Sequence, residues 1–220
     1  MVKNILKQAL VLQLALGSAA VFANTYTFSQ ITSNGTAQVA SQLSADVTQS
    51  GSNVLFKFAN TSVIASSITD IYFDFGTTSF FSSVSNNVLG AAGESSGVNY
   101  ADGASPPNLP AGNTVSFSAD ASGESASKGG ATANGVNASS EFVSFLGTTI
   151  TGITFADVLA GLDSGAFRLG LHVQGINGAN SESFVNNPSA VPVPAALPLM
   201  ASALGAFGIA RRRNKAKAAK

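Results

Sequence analysis

Phe167-Arg168-Leu169-Gly170-Leu171-His172-Val173 alternates apolar residues with others at every step. Successive side chains of a strand point to opposite faces, so Phe167, Leu169, Leu171 and Val173 turn toward an interior, and Arg168, Gly170 and His172 turn away from it. As a helix the same four apolar residues would be spread around the circumference, so the spacing predicts a half-buried strand. Gly175 and Gly178 turn the chain after it, and Ser183-Phe184-Val185 reads as a short final strand.

The same period of two recurs upstream. Val54, Phe56 and Phe58 form one set, and Ile71, Phe73 and Phe75 another, with Asp70, Tyr72 and Asp74 on the opposite face. Val39, Leu43, Ala45 and Val47 share a parity before them. Ser50-Gly51-Ser52-Asn53 reads as a hairpin turn, Ala59-Asn60-Thr61-Ser62 ends the following run, and no proline precedes Pro106 to forbid central strands. Three or four antiparallel strands are therefore expected between residue 24 and about residue 81. Further on, Phe142, Val143 and Phe145 resume the pattern. Thr154 then opens a short helix over 154–162, as an N-cap with Asp157 at the third helical position, and Phe155, Val158, Leu159 and Leu162 share one face. Many short strands with one short helix predict an all-β protein, an antiparallel β-sandwich of jelly-roll-like form.

Residues 82–139 have another character. Ser, Asn, Gly and Ala dominate, Pro106, Pro107 and Pro110 add rigid turns, and only Val115 and Phe117 suggest a strand. Between residues 119 and 139 the one large aliphatic side chain is Val136, and the segment reads as a long exposed loop.

Both ends of the chain are unlike the middle. Residues 1–23 carry Lys3 and Lys7, an apolar stretch from Ala9 to Leu16, and the small-residue end Gly17-Ser18-Ala19-Ala20-Val21-Phe22-Ala23. That is the three-part plan of a secretory signal peptide, with cleavage expected after Ala23. An N-terminal membrane anchor is the competing reading, and the shortness of the apolar stretch disfavours it. At the other end, Asn187-Pro188 opens a linker, 188–194, that leads to Val191-Pro192-Val193-Pro194-Ala195. The apolar run 195–210 follows, then Arg211-Arg212-Arg213 and the lysine-bearing tail 214–220. Sixteen residues reach about 24 Å as a helix, short of the roughly 30 Å hydrocarbon layer, so residues 195–213 read as a marginal transmembrane helix with an arginine stop-transfer. The basic tail stays cytoplasmic and residues 24–187 are the exported body.

The stretch VPVPAALPLMASALGAFGIARRR resembles the C-terminal sorting signal of PEP-CTERM proteins, in a VPxPA-type variant: a Pro-x-Pro motif, a short apolar helix, then an arginine cluster. Val193 stands where the family pattern has Glu. The resemblance spans roughly residues 190–213. It implies an exosortase as partner, a membrane-embedded cysteine transpeptidase of Gram-negative bacteria. It also implies transient residence in the inner membrane, and delivery to the cell surface or to the exopolysaccharide matrix of a biofilm.

Composition excludes several functions. There is no Cys, so disulfides and thiolate metal sites are ruled out. All eleven acidic residues fall between Asp46 and Glu182, where the only cations are Lys57, Lys128 and Arg168, which leaves the body at −8 although the whole chain is neutral. Phosphate backbones repel such a surface, and nucleic acid is not an expected partner.

His172 is the only histidine, and nothing resembles a nucleophile elbow, so a Ser-His-Asp enzyme is not expected and His172 reads as a solvated side chain. Asp70 and Asp74 lie about 13 Å apart along one strand, beyond glycosidase spacing, and read as a hydrophilic sheet surface. Glu94, Asp102, Asp120 and Glu124 are candidates for a structural Ca²⁺, without EF-hand or RTX spacing, and no other cofactor is expected. The alternative to a structural matrix protein is a carbohydrate-binding module. In a chain without Trp its aromatic contacts would come from Tyr72, on the face opposite Phe73, and Tyr100, in the loop region.

Overall fold

The computed structural model describes residues 23–86 and 93–187. The expected signal peptide up to Phe22, and the linker, sorting motif, apolar run and arginine stop from Pro188 onward, lie outside the described residues. Among the described residues no helix is long and apolar enough to cross a membrane.

The chain builds two antiparallel sheets. Strands β1 (Ala23–Tyr26), β3 (Leu43–Ser50), β4 (Asn53–Asn60), β9 (Phe142–Thr149) and β6 (Phe81–Ser85) form the first, in the order β1-β3-β4-β9-β6. Strands β2 (Phe28–Gln30), β11 (Asn180–Asn186), β10 (Arg168–Ile176), β5 (Ser67–Asp74), β8 (Ala121–Ser125) and β7 (Tyr100–Asp102) form the second, ordered β2-β11-β10-β5-β8-β7. The β3–β4 hairpin pairs Leu43 with Asn60 through to Ser50 with Asn53, and Gly51 takes the left-handed conformation its tight turn requires (φ +62°).

The alternating residues meet between the sheets. Phe56 and Phe58 of β4 and Phe145 of β9 face Phe73 of β5, with ring centroids 5.4 to 6.0 Å apart across the interface for these pairs. Phe167 adds an edge-on contact to Phe56 at 5.7 Å. Each such pair contributes about 0.5–1.5 kcal/mol beyond its burial, so the rings give the core direction as well as mass. One flank is closed covalently: β1 and β2 are a single segment that changes sheets at Thr27. At the opposite flank, Ser85 Oγ of β6 donates to Asp102 of β7 at 2.5 Å.

Helix α1 (Phe155–Ser164) has the expected capping box, with Asp157 N donating to Thr154 Oγ1 and Thr154 N donating to the Asp157 carboxylate. Val158 and Leu162 are buried, while Phe155 and Leu159 pack against the core as half-buried residues.

The middle of the chain corrects the sequence reading. Within residues 82–139 lie β7 and β8, and Val136 is fully buried and bridged to Ile68. Strand β8, Ala-Ser-Gly-Glu-Ser, has no apolar period, yet it pairs with β5 from Asp70↔Glu124 to Phe73↔Ala121. Its ladder is made by backbone; Ala121 packs against the core, and Gly123 lies so close to it that a Cβ would sit 2.4 Å from the Phe145 ring. Val115 and Phe117 do not form a strand. Val115 ends a 3₁₀ turn (Gly112–Val115) and is exposed, whereas Phe117 is buried.

Candidate functional site

The polar face of β5 and β10 was expected to meet solvent, and the structure covers much of it. Residues 104–119 fold across the outside of the second sheet as a flap, with Leu109 and Phe117 packed against Tyr72. The flap can lie this close because β10 offers Gly170: a Cβ there would come within 2.9 Å of the Phe117 ring and 3.0 Å of Leu109. Arg168 fastens it. Nη1 donates to the Val115 carbonyl at 2.7 Å, Nη2 donates to the Ser116 carbonyl and to Asp74 Oδ2 (2.5 Å), and the guanidinium lies 5.2 Å from the Phe117 ring centre. Asp74, 3% exposed, also accepts from Gly76 N and Ser118 N. The flap's other end is tied by Ala104 N to Ser122 Oγ and Ser105 N to Glu124.

Tyr72 and Tyr100 are therefore corrected as sugar contacts. Tyr72 is fully buried beneath the flap, its hydroxyl donating to the Pro106 carbonyl at 3.1 Å. Tyr100 packs edge-on to Phe145 in the core, with its hydroxyl donating to the Ile68 carbonyl. Neither ring is presented to solvent. Burial, which disfavours the phenolate, pushes both hydroxyls above their ordinary range, and for Tyr72 the charges of Asp70 and Glu124 add to it.

Beside the flap a transverse polar row crosses four strands: Ser183 of β11, His172 of β10, Asp70 of β5 and Glu124 of β8 are register partners in turn. His172 Nδ1 lies 2.9 Å from Asp70 Oδ2, which also accepts from Thr69 Oγ1 at 2.8 Å. Asp70 is 5% exposed and His172 half-buried, so the pair is not the freely solvated one expected. Serine, imidazole and carboxylate thus stand in one line. Ser183, however, is 1% exposed and makes no hydrogen bond to His172, so the line presents no reachable nucleophile.

The acids weighed for Ca²⁺ have identifiable work in the fold. Glu94 accepts from Tyr100 N and Asn86 Nδ2, Asp102 from Asn86 N, Asp120 from Phe75 N, and Glu124 from Ser105 N. Glu94 and Asp102 share a recess of about 410 Å³ with Asn86, Gly93, Tyr100 and Ala101. Elsewhere Glu182 receives Asn34 N, Gly35 N and Thr32 Oγ1, and Glu141 receives Asn137 N and Ala138 N. With Asp74 and Asp157, eight of the eleven carboxylates accept from backbone N–H groups, nearly all of them in loops and turns. Charge-assisted bonds of this kind are about twice as strong as neutral ones and fix loops in a chain that has no disulfide. Among the described residues no group of three His, Asp or Glu side chains is placed to hold a metal ion.

Ala23, the expected cleavage residue, begins β1 and pairs with Thr48. The sorting residues Val191, Pro192, Val193, Pro194 and Ala195, and the stop-transfer residues Arg211, Arg212 and Arg213, lie outside the described residues.

Comparison with known proteins returns no match: no family profile, no curated protein and no solved structure matches the chain.

Proposed function

We propose that this chain is an exported, non-catalytic passenger. In this reading a body of jelly-roll-like sandwich form, carried between two membrane-directed ends, is sorted by an exosortase to the cell surface or the extracellular matrix of a Gram-negative bacterium. The observation that carries the proposal is the pairing of an N-terminal export signal with the terminal Pro-x-Pro, apolar run and Arg211-Arg212-Arg213.

The fold supports it in one respect. Among the described residues, those of the expected passenger form a body of two antiparallel sheets. Asn187 is held beside the point where β1 passes into β2: its N–H donates to the Thr27 carbonyl at 2.9 Å, and Ser29 Oγ donates to its side-chain oxygen at 2.6 Å. The buried tyrosines take away the aromatic basis for the carbohydrate-binding alternative.

Intact mass of the secreted form from the native host tests the proposal. The expected product starts at Asn24 and lacks residues 211–220. A secreted species that still carries Arg211 to Lys220 rejects the sorting step, and one that retains Met1 to Ala23 rejects the export signal.

A further inference from the structure

The expected cut after Ala23 falls inside a sheet. Ala23, Asn24, Thr25 and Tyr26 pair in turn with Thr48, Val47, Asp46 and Ala45, so the Ala23–Asn24 bond is flanked by ladder partners on both sides. The strand is anchored just beyond it. Thr25 Oγ1 donates to Asp46 at 2.6 Å, and Tyr26 is 1% exposed with its hydroxyl on Asp163 at 2.9 Å. Phe28 lies in the core two residues later, and Thr27 is clasped by Asn187.

A peptidase takes its substrate as an extended segment laid along its own cleft, which requires the backbone and alternate side chains around the bond to be free. In the folded body one backbone edge at Ala23 and Asn24 already faces β3, and Tyr26 and Phe28 cannot be withdrawn without opening the core. We propose that cleavage after Ala23 has to precede docking of β1 on β3, so that the leader is removed while the first sheet is still incomplete and a precursor that folds first is locked against its peptidase. The inference rests on the export-signal reading above and adds an order of events to it: cut, then close the first sheet.

The test uses the full-length precursor in mild detergent with purified signal peptidase, the products being read by intact mass. One arm presents the chain directly on dilution from urea, and the other presents it after refolding. A third arm uses a refolded variant with Ser-Gly-Ser-Gly-Ser-Gly inserted between Ala23 and Asn24, which carries the bond out of the ladder and leaves Asn24 to Tyr26 paired.

The expected result is cleavage after Ala23 in the first arm, roughly tenfold or more slower in the second, because the bond is reached only through local opening, and restored in the third. Equal rates in the first two arms overturn the inference and leave the export signal standing. A slow third arm also overturns it, since accessibility of the bond would then not be what limits the cut. No cleavage after Ala23 in any arm rejects the export-signal reading and the inference with it.

Discussion

Replacing Arg168 tests how the outside of the second sheet is held. In Arg168→Met the stem is kept and the guanidinium removed, so Asp74 loses its 2.5 Å partner while staying buried, and the Val115 and Ser116 carbonyls lose their donor. Breaking a buried pair from one side costs about 3–5 kcal/mol. Asp74 keeps the N–H groups of Gly76 and Ser118, and the Arg168 side chain is 23% exposed, so the expected loss is lower, about 2–3 kcal/mol. With a urea m-value of about 2 kcal/mol/M, the unfolding midpoint should fall by roughly 1 M. Asp74→Asn, made alone and together with Arg168→Met, completes a double-mutant cycle. A coupling of about 1.5 kcal/mol or more is expected, with little change between low and high salt because the carboxylate is shielded. The local signature is faster amide exchange at Ser118 than in β10. A coupling below about 0.5 kcal/mol, the range of an exposed ion pair, would refute the claim that Arg168 fastens the flap.

Two further outcomes follow from the same packing. Gly170→Val would drive a side chain into the Phe117 ring and Leu109 and should cost about 1–3 kcal/mol in urea unfolding; an unchanged midpoint would mean the flap does not rest on β10. Tyr26, Tyr72 and Tyr100 all have hydroxyls pushed up, in each case by burial first. Their folded values exceed the unfolded one, so this contribution to stability is fully present below about pH 10 and is lost as pH rises above it. In a chain without Trp, absorbance at 295 nm should therefore show no tyrosinate until the protein unfolds cooperatively, and a gradual titration centred near pH 10 in the folded protein would contradict their burial.

Legibility in the sequence followed how local the cause was. The strands around Phe56, Phe73 and Leu171 could be read because one apolar face against one polar face is written every second residue. The capping box of α1 could be read because Thr154 and Asp157 answer each other within one turn. Strand β8 could not: its side chains carry no period, and what draws it to β5 is a row of backbone groups in need of partners. Tyr72 was placed on the right face and given the wrong surroundings, because parity says which way a side chain points and not what lies above it. The covering is made by Leu109 and Phe117, 37 and 45 positions further along, and by Arg168, 96 positions along. His172 shows the same limit, since its partner Asp70 comes from a strand 102 residues earlier.

By itself, then, the sequence determined the alternation that makes two sheets, the capped helix, the acidity of the body and the different character of the two ends, all properties of neighbouring residues. Tertiary structure alone decided that the polar middle closes over the second sheet, that the tyrosines lie inside, that most carboxylates hold backbone, and that the bond after Ala23 lies within a ladder. Each of these depends on groups distant in the chain meeting in space. Burial is a property of the place where a residue ends up, and the residue's own chemistry fixes only what that place must provide.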